Sequence, residues 1–132
     1  MPKSVYYDLP GGGQNVYESL EEALVREVKE ETGYDVRVEK FIALAEEIYT
    51  NDELREKFPE YTHRVFHIFK ASLVSDKQEA PTEIDFATEG SVWIPINNLE
   101  CETEISPSGM KELLRHWETV ELPCYLGTEY KE

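Results

Sequence analysis

The spacing of apolar and polar residues along the chain predicts an alternation of strands and helices. Residues 3–9 favour a short strand that ends in the glycine run Pro10-Gly-Gly-Gly13. No proline or glycine interrupts residues 20–32, which Ser19 precedes as a helix N-cap and Gly33 follows as a C-cap. This segment is the clearest helix signal in the sequence.

Two long strands are predicted in the middle of the chain. Residues 34–49 carry alternating and then continuous apolar side chains, which indicates one long or bent strand. Residues 62–74 alternate again and predict another strand. The polar segment between them contains a predicted short helix at residues 52–58, closed by Pro59.

The last part of the chain gives weaker signals. Residues 75–88 are a predicted loop, residues 91–96 a short strand, and a helix follows Gly109 and ends near residue 117 or 118. The tail, residues 122–132, shows no strong pattern. A helix between strands and another after them predict an α+β fold with a mixed sheet, and no linker or repeat divides the 132 residues, which predicts a single domain.

Composition narrows the function classes. The formal net charge is −15, which argues against binding to nucleic acid polymers or anionic lipid, while the excess carboxylates are compatible with hard divalent cations. Cys101 and Cys124 have no metal-site spacing, and no apolar segment is long enough to span a membrane. Without a signal segment at the amino terminus, we expect a reduced cytoplasmic protein.

The predicted helix at residues 20–32 carries a cluster of carboxylates. Glu27, Glu30 and Glu31 fall on one arc at i, i+3 and i+4, a spacing at which like charges repel. A solvated acidic face would explain them. The helix also follows Gly11, Gly12 and Gly13, whose backbone can approach a ligand, and a divalent ion would cancel the repulsion and bridge to phosphate oxygens. Together these features favour a site for phosphate chemistry.

The motif that contains this helix resembles the Nudix box. Gly12, Glu18 and the run Arg26-Glu27-Val28-Lys29-Glu30-Glu31-Thr32-Gly33-Tyr34 match G-x5-E-x7-R-E-U-x-E-E-x-G-U, in which U is bulky and apolar. All seven fixed identities are present, which average composition would produce by chance on the order of once in ten million placements. Only Tyr34 departs, being aromatic where the family usually has an aliphatic residue.

The resemblance implies a fold, a reaction and roles for individual residues. The fold would be an α/β/α sandwich with a mixed sheet, and the reaction a hydrolysis of a nucleoside diphosphate linked to another group. Water would attack phosphorus with the help of Mg²⁺, or of Mn²⁺. The implied metal ligands are Glu27, Glu30 and Glu31 with support from Glu18, and Arg26 would orient Glu27.

The resemblance also implies a further carboxylate, as ligand or general base, in a loop after the box. Glu89, four residues before Trp93, is the preferred candidate. The other candidates are acidic residues of the same loop and of the strand after the box helix. These are Glu83, Asp85, Glu46 and Glu47. A solvated acidic loop is the competing interpretation.

Other polar and aromatic residues are interpreted from the strands that carry them. Arg64 could reach a substrate phosphate, although arginine on a half-exposed strand is ordinary. His63 and His67 lie about 13 Å apart on one strand, too far to bind one metal, and are expected to be structural. Trp93 and Trp117 are expected in the core.

The amino terminus is shorter than is usual in the family, with nine residues ahead of Pro10. The usual first strands would then be absent, and three explanations stay open: a truncated sequence, a smaller sheet, or completion of the sheet by another chain. Because an exposed sheet edge favours pairing, we expect a homodimer.

Two functions stay open at this point. The first is a Mg²⁺-dependent hydrolase that acts on a small nucleotide or related diphosphate. The second is a catalytically inactive Nudix-fold module that binds nucleotides or regulates a partner.

Overall fold

The computed structural model describes residues 6–82, 90–99 and 104–132. Its helices and strands alternate along the chain and are listed here in order. They are β1 (Tyr6–Asp8), α1 (Leu20–Thr32), β2 (Tyr34–Tyr49), α2 (Asp52–Lys57), β3 (His63–Gln78), a 3₁₀ turn (Ile96–Asn98), β4 (Glu104–Ser106), α3 (Met110–Arg115) and β5 (Cys124–Lys131). No helix in these ranges is long and apolar enough to cross a membrane.

Most of the predicted elements are confirmed. The bounds of α1 and β2 are those that the sequence predicts, whereas α2 ends one residue and α3 two to three residues before the predicted end. β3 runs four residues beyond the predicted strand, to Gln78. The predicted strand at residues 91–96 is wrong, because residues 91–95 lie outside any strand and Ile96 opens the 3₁₀ turn.

The capping residues of α1 explain its bounds. Ser19 has an extended backbone, and its hydroxyl accepts a hydrogen bond from the Glu22 amide, which satisfies one of the free donors of the first turn. Gly33 ends the helix in the left-handed conformation, with φ 81°, and its amide donates to the Lys29 carbonyl at 2.9 Å. These two caps fix where the carboxylates of α1 lie along the helix.

Contacts divide the chain into two compact units. The first unit comprises Met1–Leu9, Phe41–Ile68 and Pro95–Glu132. The second comprises Pro10–Lys40 and Phe69–Ile94, and it contains α1 with the whole Nudix-like motif. The single domain and the homodimer that the sequence predicts stay predictions.

The first unit contains a parallel pairing of β2 with β5. The strands of this sheet follow the order β3-β2-β5, and Ala43 pairs with Cys124 at the start of β5. A second parallel pair joins β1 to β4, from Tyr6 opposite Glu104 to Asp8 opposite Ser106. The combination of helices and strands confirms the predicted α+β class.

The core of the first unit lies between the sheet and α3. Its buried side chains come from β2, β3 and α3: Ile42, Ala43, Ala45, Ile68, Met110 and Leu113. Trp117 is partly buried against this cluster, in agreement with its predicted place in the core.

Trp93 of the second unit is not in a core, and the prediction for it is wrong. Its side chain is 68% exposed, and it meets the Tyr34 ring edge-on at a centroid distance of 5.6 Å. The strand that would have buried it does not form.

Candidate active site

Arg26 lies at the centre of the carboxylates of the Nudix-like motif. Its guanidinium donates two hydrogen bonds to Glu18, at 2.7 and 2.9 Å. The same group donates to Glu27 Oε1 at 2.9 Å and to Glu30 Oε2 at 3.1 Å. Only the planar fork of arginine can satisfy three carboxylates at once. The structure thus brings together four of the residues that the sequence predicts for the site.

The chain before α1 holds Glu18 in position. A turn places the Glu18 amide 3.1 Å from the Asn15 carbonyl, and the Asn15 amide donates to Glu18 Oε1 at 3.0 Å. Gln14 also donates from its side-chain amide to the Glu18 carbonyl. The hydrogen bonds from Arg26 and Asn15 hold the pKa of Glu18 below its usual value. Glu18 is therefore an ionised carboxylate that is held in one position by its hydrogen bonds.

Charge is distributed unevenly within this cluster. Arg26 supplies one positive charge against the three carboxylates that it contacts, so the group carries a net negative charge. The partners of Arg26 raise the pKa of its guanidinium, which keeps the cation charged at any physiological pH. The remaining negative charge attracts a cation from solution.

The glycine loop closes over the carboxylate side of α1. The Gly11 amide donates to Glu31 Oε2 at 3.1 Å, and Arg26 donates to the Gly13 carbonyl at 2.9 Å. A Cβ atom added to Gly12 would lie 2.6 Å from the Glu27 carboxylate. The Glu27 carboxylate occupies the space that a side chain at position 12 would need. A substitution of Gly12 would therefore displace this carboxylate.

The far end of α1 is anchored to the chain that follows β3. The Glu79 amide donates to the Gly33 carbonyl, and the Thr82 amide donates to the Glu30 carbonyl, both at 2.9 Å. A Cβ atom on Gly33 would approach the Glu79 carbonyl oxygen to 1.8 Å. Glycine is thus required here both for its left-handed backbone and for the close approach of the neighbouring chain.

The carboxylate groups of this cluster are chemically suited to bind a hard divalent ion. Carboxylate oxygens are the ligands that Mg²⁺ and Mn²⁺ prefer. Arg26 binds one oxygen each of Glu27 and Glu30, and the second oxygen of each takes no hydrogen bond from the described residues. Within the described ranges, however, no three such side chains are already arranged as a metal site. The residues fit the ion by type and charge.

The remaining predicted site residues belong to the first unit or lie outside the described residues. Arg64 belongs to the first unit, where it donates to Glu47 Oε1 at 2.6 Å and stacks over the Phe66 ring. Its contact with a substrate phosphate stays a prediction. Glu89 and its alternatives Glu83 and Asp85 lie outside the described residues.

Glu47 and its partners form a buried ion cluster in the first unit. The Glu47 side chain is 1% exposed and lies between Arg64 and Lys131, whose Nζ is 2.9 Å from Glu47 Oε2. Burial acts to raise the pKa of Glu47, but the bonds from Lys131 and Arg64 outweigh it and hold that pKa below its usual value. The buried carboxylate is therefore ionised, and it ties β2 to both neighbouring strands.

The sequence predicts Glu46 and Glu47 as candidate site residues but does not indicate the β5 residues that contact them. Lys131 and Thr128 lie in β5, a strand for which the sequence shows no strong pattern. Residues 124–131 do not alternate regularly between polar and apolar side chains, but the tyrosines and the threonine among them favour strands. This β-propensity is a weak signal for the strand.

Comparison with known proteins agrees with the motif and the geometry. A protein-family model described as the NUDIX domain matches residues 2–117. No curated protein matches the sequence. The helices and sheet are consistent with the α/β/α sandwich of that family. Since the family model covers most of the sequence, the chain belongs to the Nudix family.

Proposed function

We propose that the protein is a Mg²⁺-dependent hydrolase that cleaves a diphosphate linkage in a nucleoside diphosphate joined to another group. Membership of the Nudix family supports a hydrolase that acts on such linkages. The observation that carries the proposal is the gathering of Glu18, Glu27 and Glu30 on Arg26 beside a glycine loop. Like charges at i and i+3 or i+4 destabilise a helix, so their concentration on α1 favours a role in binding a cation.

The reaction replaces one bond to phosphorus with another. The oxygen of a water molecule attacks phosphorus, the bond from phosphorus to the bridging oxygen breaks, and the water proton passes to a carboxylate base. Glu89, or Glu83 or Asp85 in its place, is the proposed base. The leaving phosphate takes the electron pair of the broken bond and is released as the anion.

Each residue of the cluster has a proposed part in holding the substrate and the ion. Mg²⁺, or Mn²⁺, would be held by Glu27, Glu30 and Glu31 and would polarise the phosphate and the attacking water. Arg26 fixes the directions of Glu27 and Glu30 through its hydrogen bonds. Gly12 and Gly13 leave the loop without side chains, which allows phosphate oxygens to approach the backbone.

The substrate is expected to depend on the ion for binding as well as for chemistry. Both the protein, with its net charge of −15, and a diphosphate are anionic, so they repel each other. A bound divalent cation reverses the sign of the local field. The proposed partner is therefore a small nucleotide or a related diphosphate, and not a nucleic acid polymer.

A second candidate function is a nucleotide-binding or regulatory module that does not turn over its ligand. The observation in its favour is Arg26, which already neutralises part of the cluster where the described residues form no ready metal site. Such a module would bind a nucleotide without releasing phosphate.

The deciding experiment is a substrate panel with Mg²⁺ present or chelated. The panel contains nucleoside triphosphates, ADP-ribose, sugar nucleotides, dinucleoside polyphosphates and NADH, with release of phosphate or monophosphate as the readout. The proposal predicts turnover of at least one member, lost on chelation and restored by Mg²⁺. Binding of a nucleotide without turnover of any member would instead establish the module.

A further inference from the structure

A cavity of about 300 Å³ opens in the first unit, and none of its described lining residues is one of those assigned to the reaction. Residues of β2 and β5 and the turn before α3 line it, among them Glu46, Ser108, Thr128 and Tyr130. Its volume is at the lower end of the range for small-molecule sites, about 300–1,000 Å³. The cavity is thus large enough for one sugar ring.

An irregularity in the pairing of β2 with β5 forms one wall. Leu44 pairs with Tyr125, but the next recorded pair is Glu46 with Thr128, so β5 has one extra residue at this point. Gly127 lies in the bulge with φ 86°, a left-handed conformation that favours glycine. Bulges are rare between parallel strands and redirect side chains where they occur. Here the bulge brings Thr128 to the carboxylate of Glu46.

A chain of hydrogen bonds fixes that carboxylate. Thr128 Oγ1 donates to Glu46 Oε1 at 2.9 Å, and Tyr125 lies 3.0 Å from the same threonine oxygen. Because the threonine has a single hydroxyl hydrogen, the tyrosine hydroxyl must be the donor of the second bond. His63 Nε2 lies 2.6 Å from Glu46 Oε2. These contacts hold the pKa of Glu46 below its usual value, with the bond from His63 as the largest cause.

The ionised carboxylate keeps capacity for a ligand. A carboxylate has about four lone-pair sites, and His63 and Thr128 occupy one on each oxygen. The side chain is 27% exposed, so the remaining sites can be reached. Two acceptors held side by side match two neighbouring hydroxyl donors, and acidic residues bind ribose hydroxyls in this way in dinucleotide-binding folds.

The charge of the cavity excludes other ligand classes. None of its described lining residues is lysine or arginine, and Glu129 adds a second carboxylate, so a phosphate or another anion is repelled. A bare metal ion is not favoured either, because the described residues contain no group of three metal-binding side chains. A neutral ligand with adjacent hydroxyl groups is compatible with both facts.

We infer that this cavity is a binding site for the vicinal diol of a sugar, with Glu46 as the acceptor of both hydroxyl groups. Ser108 and Tyr130 supply further hydroxyls at the cavity wall. The diol could belong to a free sugar or to the ribose of a nucleoside. The site goes beyond the proposed hydrolysis, and binding to it requires no turnover.

The test uses the ¹⁵N-labelled full chain and two probes that differ in one hydroxyl group. Methyl β-D-ribofuranoside and its 2-deoxy analogue are titrated while the amide resonances of Ser108, Gly127 and Thr128 are followed. We expect saturable shifts of these amides with the riboside, and an affinity about tenfold or more lower for the deoxy analogue. Equal affinities, or shifts confined to other residues, would overturn the inference.

Variants provide a second, independent readout. Glu46→Gln keeps the shape of the side chain and replaces one acceptor oxygen, and Thr128→Val removes the hydroxyl that orients it. Both should weaken riboside binding about tenfold or more, whereas Glu56→Gln, on the exposed surface of α2, should leave it unchanged. Unaltered binding in a folded Glu46→Gln protein would refute the assignment. If that variant does not fold, the comparison of the two probes on the unmodified chain decides.

A third arm separates the two sources of the diol. Adenosine and 2′-deoxyadenosine are titrated under the same conditions. Tighter binding of adenosine than of the methyl riboside, with the same amides shifting, identifies a nucleoside as the ligand. Equal binding identifies the sugar alone. Loss of discrimination between adenosine and its deoxy form would contradict recognition of the diol.

Discussion

Replacement of Gly33 by alanine tests why α1 ends where it does. Two costs follow from the structure. The backbone of Gly33 is left-handed, at φ 81°, which costs an alanine roughly 1–2 kcal/mol. The new Cβ would also lie 1.8 Å from the Glu79 carbonyl oxygen, so the neighbouring chain must move and its hydrogen bond to Gly33, about 0.5–1.5 kcal/mol, is lost. We expect Gly33→Ala to lower the free energy of unfolding by about 1.5–3.5 kcal/mol.

Two other glycines separate these costs. Gly127 has nearly the same φ, 86°, but nothing lies within 4 Å of the Cβ position, so Gly127→Ala should show the backbone cost alone, about 1–2 kcal/mol. Gly13 has neither a left-handed backbone nor a close neighbour, and Gly13→Ala should stay within about 0.5 kcal/mol of the unmodified protein.

Urea denaturation followed by circular dichroism measures these differences. The comparison is valid where the slope of the unfolding free energy against urea is the same for all proteins. Equal losses of unfolding free energy for Gly33→Ala and Gly127→Ala would show that the Glu79 carbonyl adds no steric cost at the end of α1. A Gly33→Ala protein as stable as the original would refute the described conformation of this turn.

Three further substitutions test the charged clusters. Gly12→Ala should reduce turnover while the thermal midpoint changes little, because the new methyl group displaces the end of the Glu27 side chain and no backbone atom; kcat and a melting curve check this. Arg26→Lys should lower both the midpoint and kcat, because an ammonium group cannot make the paired bonds to Glu18. Glu47→Gln should lower the free energy of unfolding at pH 7 by about 1–3 kcal/mol, less than the 3–5 kcal/mol of a fully buried pair, because its cationic partners are partly exposed and can turn to water. Since the pKa of Glu47 is lowered in the folded protein, its contribution is present above the unfolded value near 4.5 and is lost as the pH falls through the folded pKa below it. Urea denaturation between pH 3 and 7 should therefore show that the difference in unfolding free energy between the two proteins disappears in acid.

Each of these expectations has a clear contrary result. Full activity of Gly12→Ala, with Gly13→Ala as the matched control, would mean that the Glu27 carboxylate does not need its described position. An unchanged kcat of the Arg26→Lys protein would show that the active site does not require the guanidinium group. A stability difference between Glu47→Gln and the original protein that stays constant from pH 7 to pH 3 would show that Glu47 is not the ionised group described.

Local signals were sufficient where the chain determines its own structure. The bounds of α1 follow from Ser19 and Gly33, because a side-chain cap and a left-handed glycine act within a few residues of the helix. The period of the helix predicted that Glu27 and Glu30 lie on one arc, and the resemblance to the Nudix box implied that Arg26 orients Glu27. The sequence therefore predicted the cluster of the second unit in some detail.

Contacts between distant segments could not be predicted in this way. β5 owes its strand conformation to pairing with β2, about 80 residues earlier in the chain, and its bulge breaks the alternation that would have marked it. The extension of β3 to Gln78 consists of exposed residues, which give no apolar pattern. Residues 91–96 have an apolar pattern typical of a strand, but they pair with none of the described strands. Trp93 is exposed as a result.

The most direct test of the proposed hydrolase compares two glutamine variants of the same helix. Glu30→Gln removes a carboxylate bound by Arg26, and Glu21→Gln removes an exposed one from the first turn. With the panel substrate that turns over fastest and saturating Mg²⁺, Glu30→Gln should lower kcat about a hundredfold or more, a loss of at least about 2.7 kcal/mol in transition-state stabilisation, while Glu21→Gln stays near the original rate. Equal rates for the original protein and Glu30→Gln would contradict catalysis by the Nudix box.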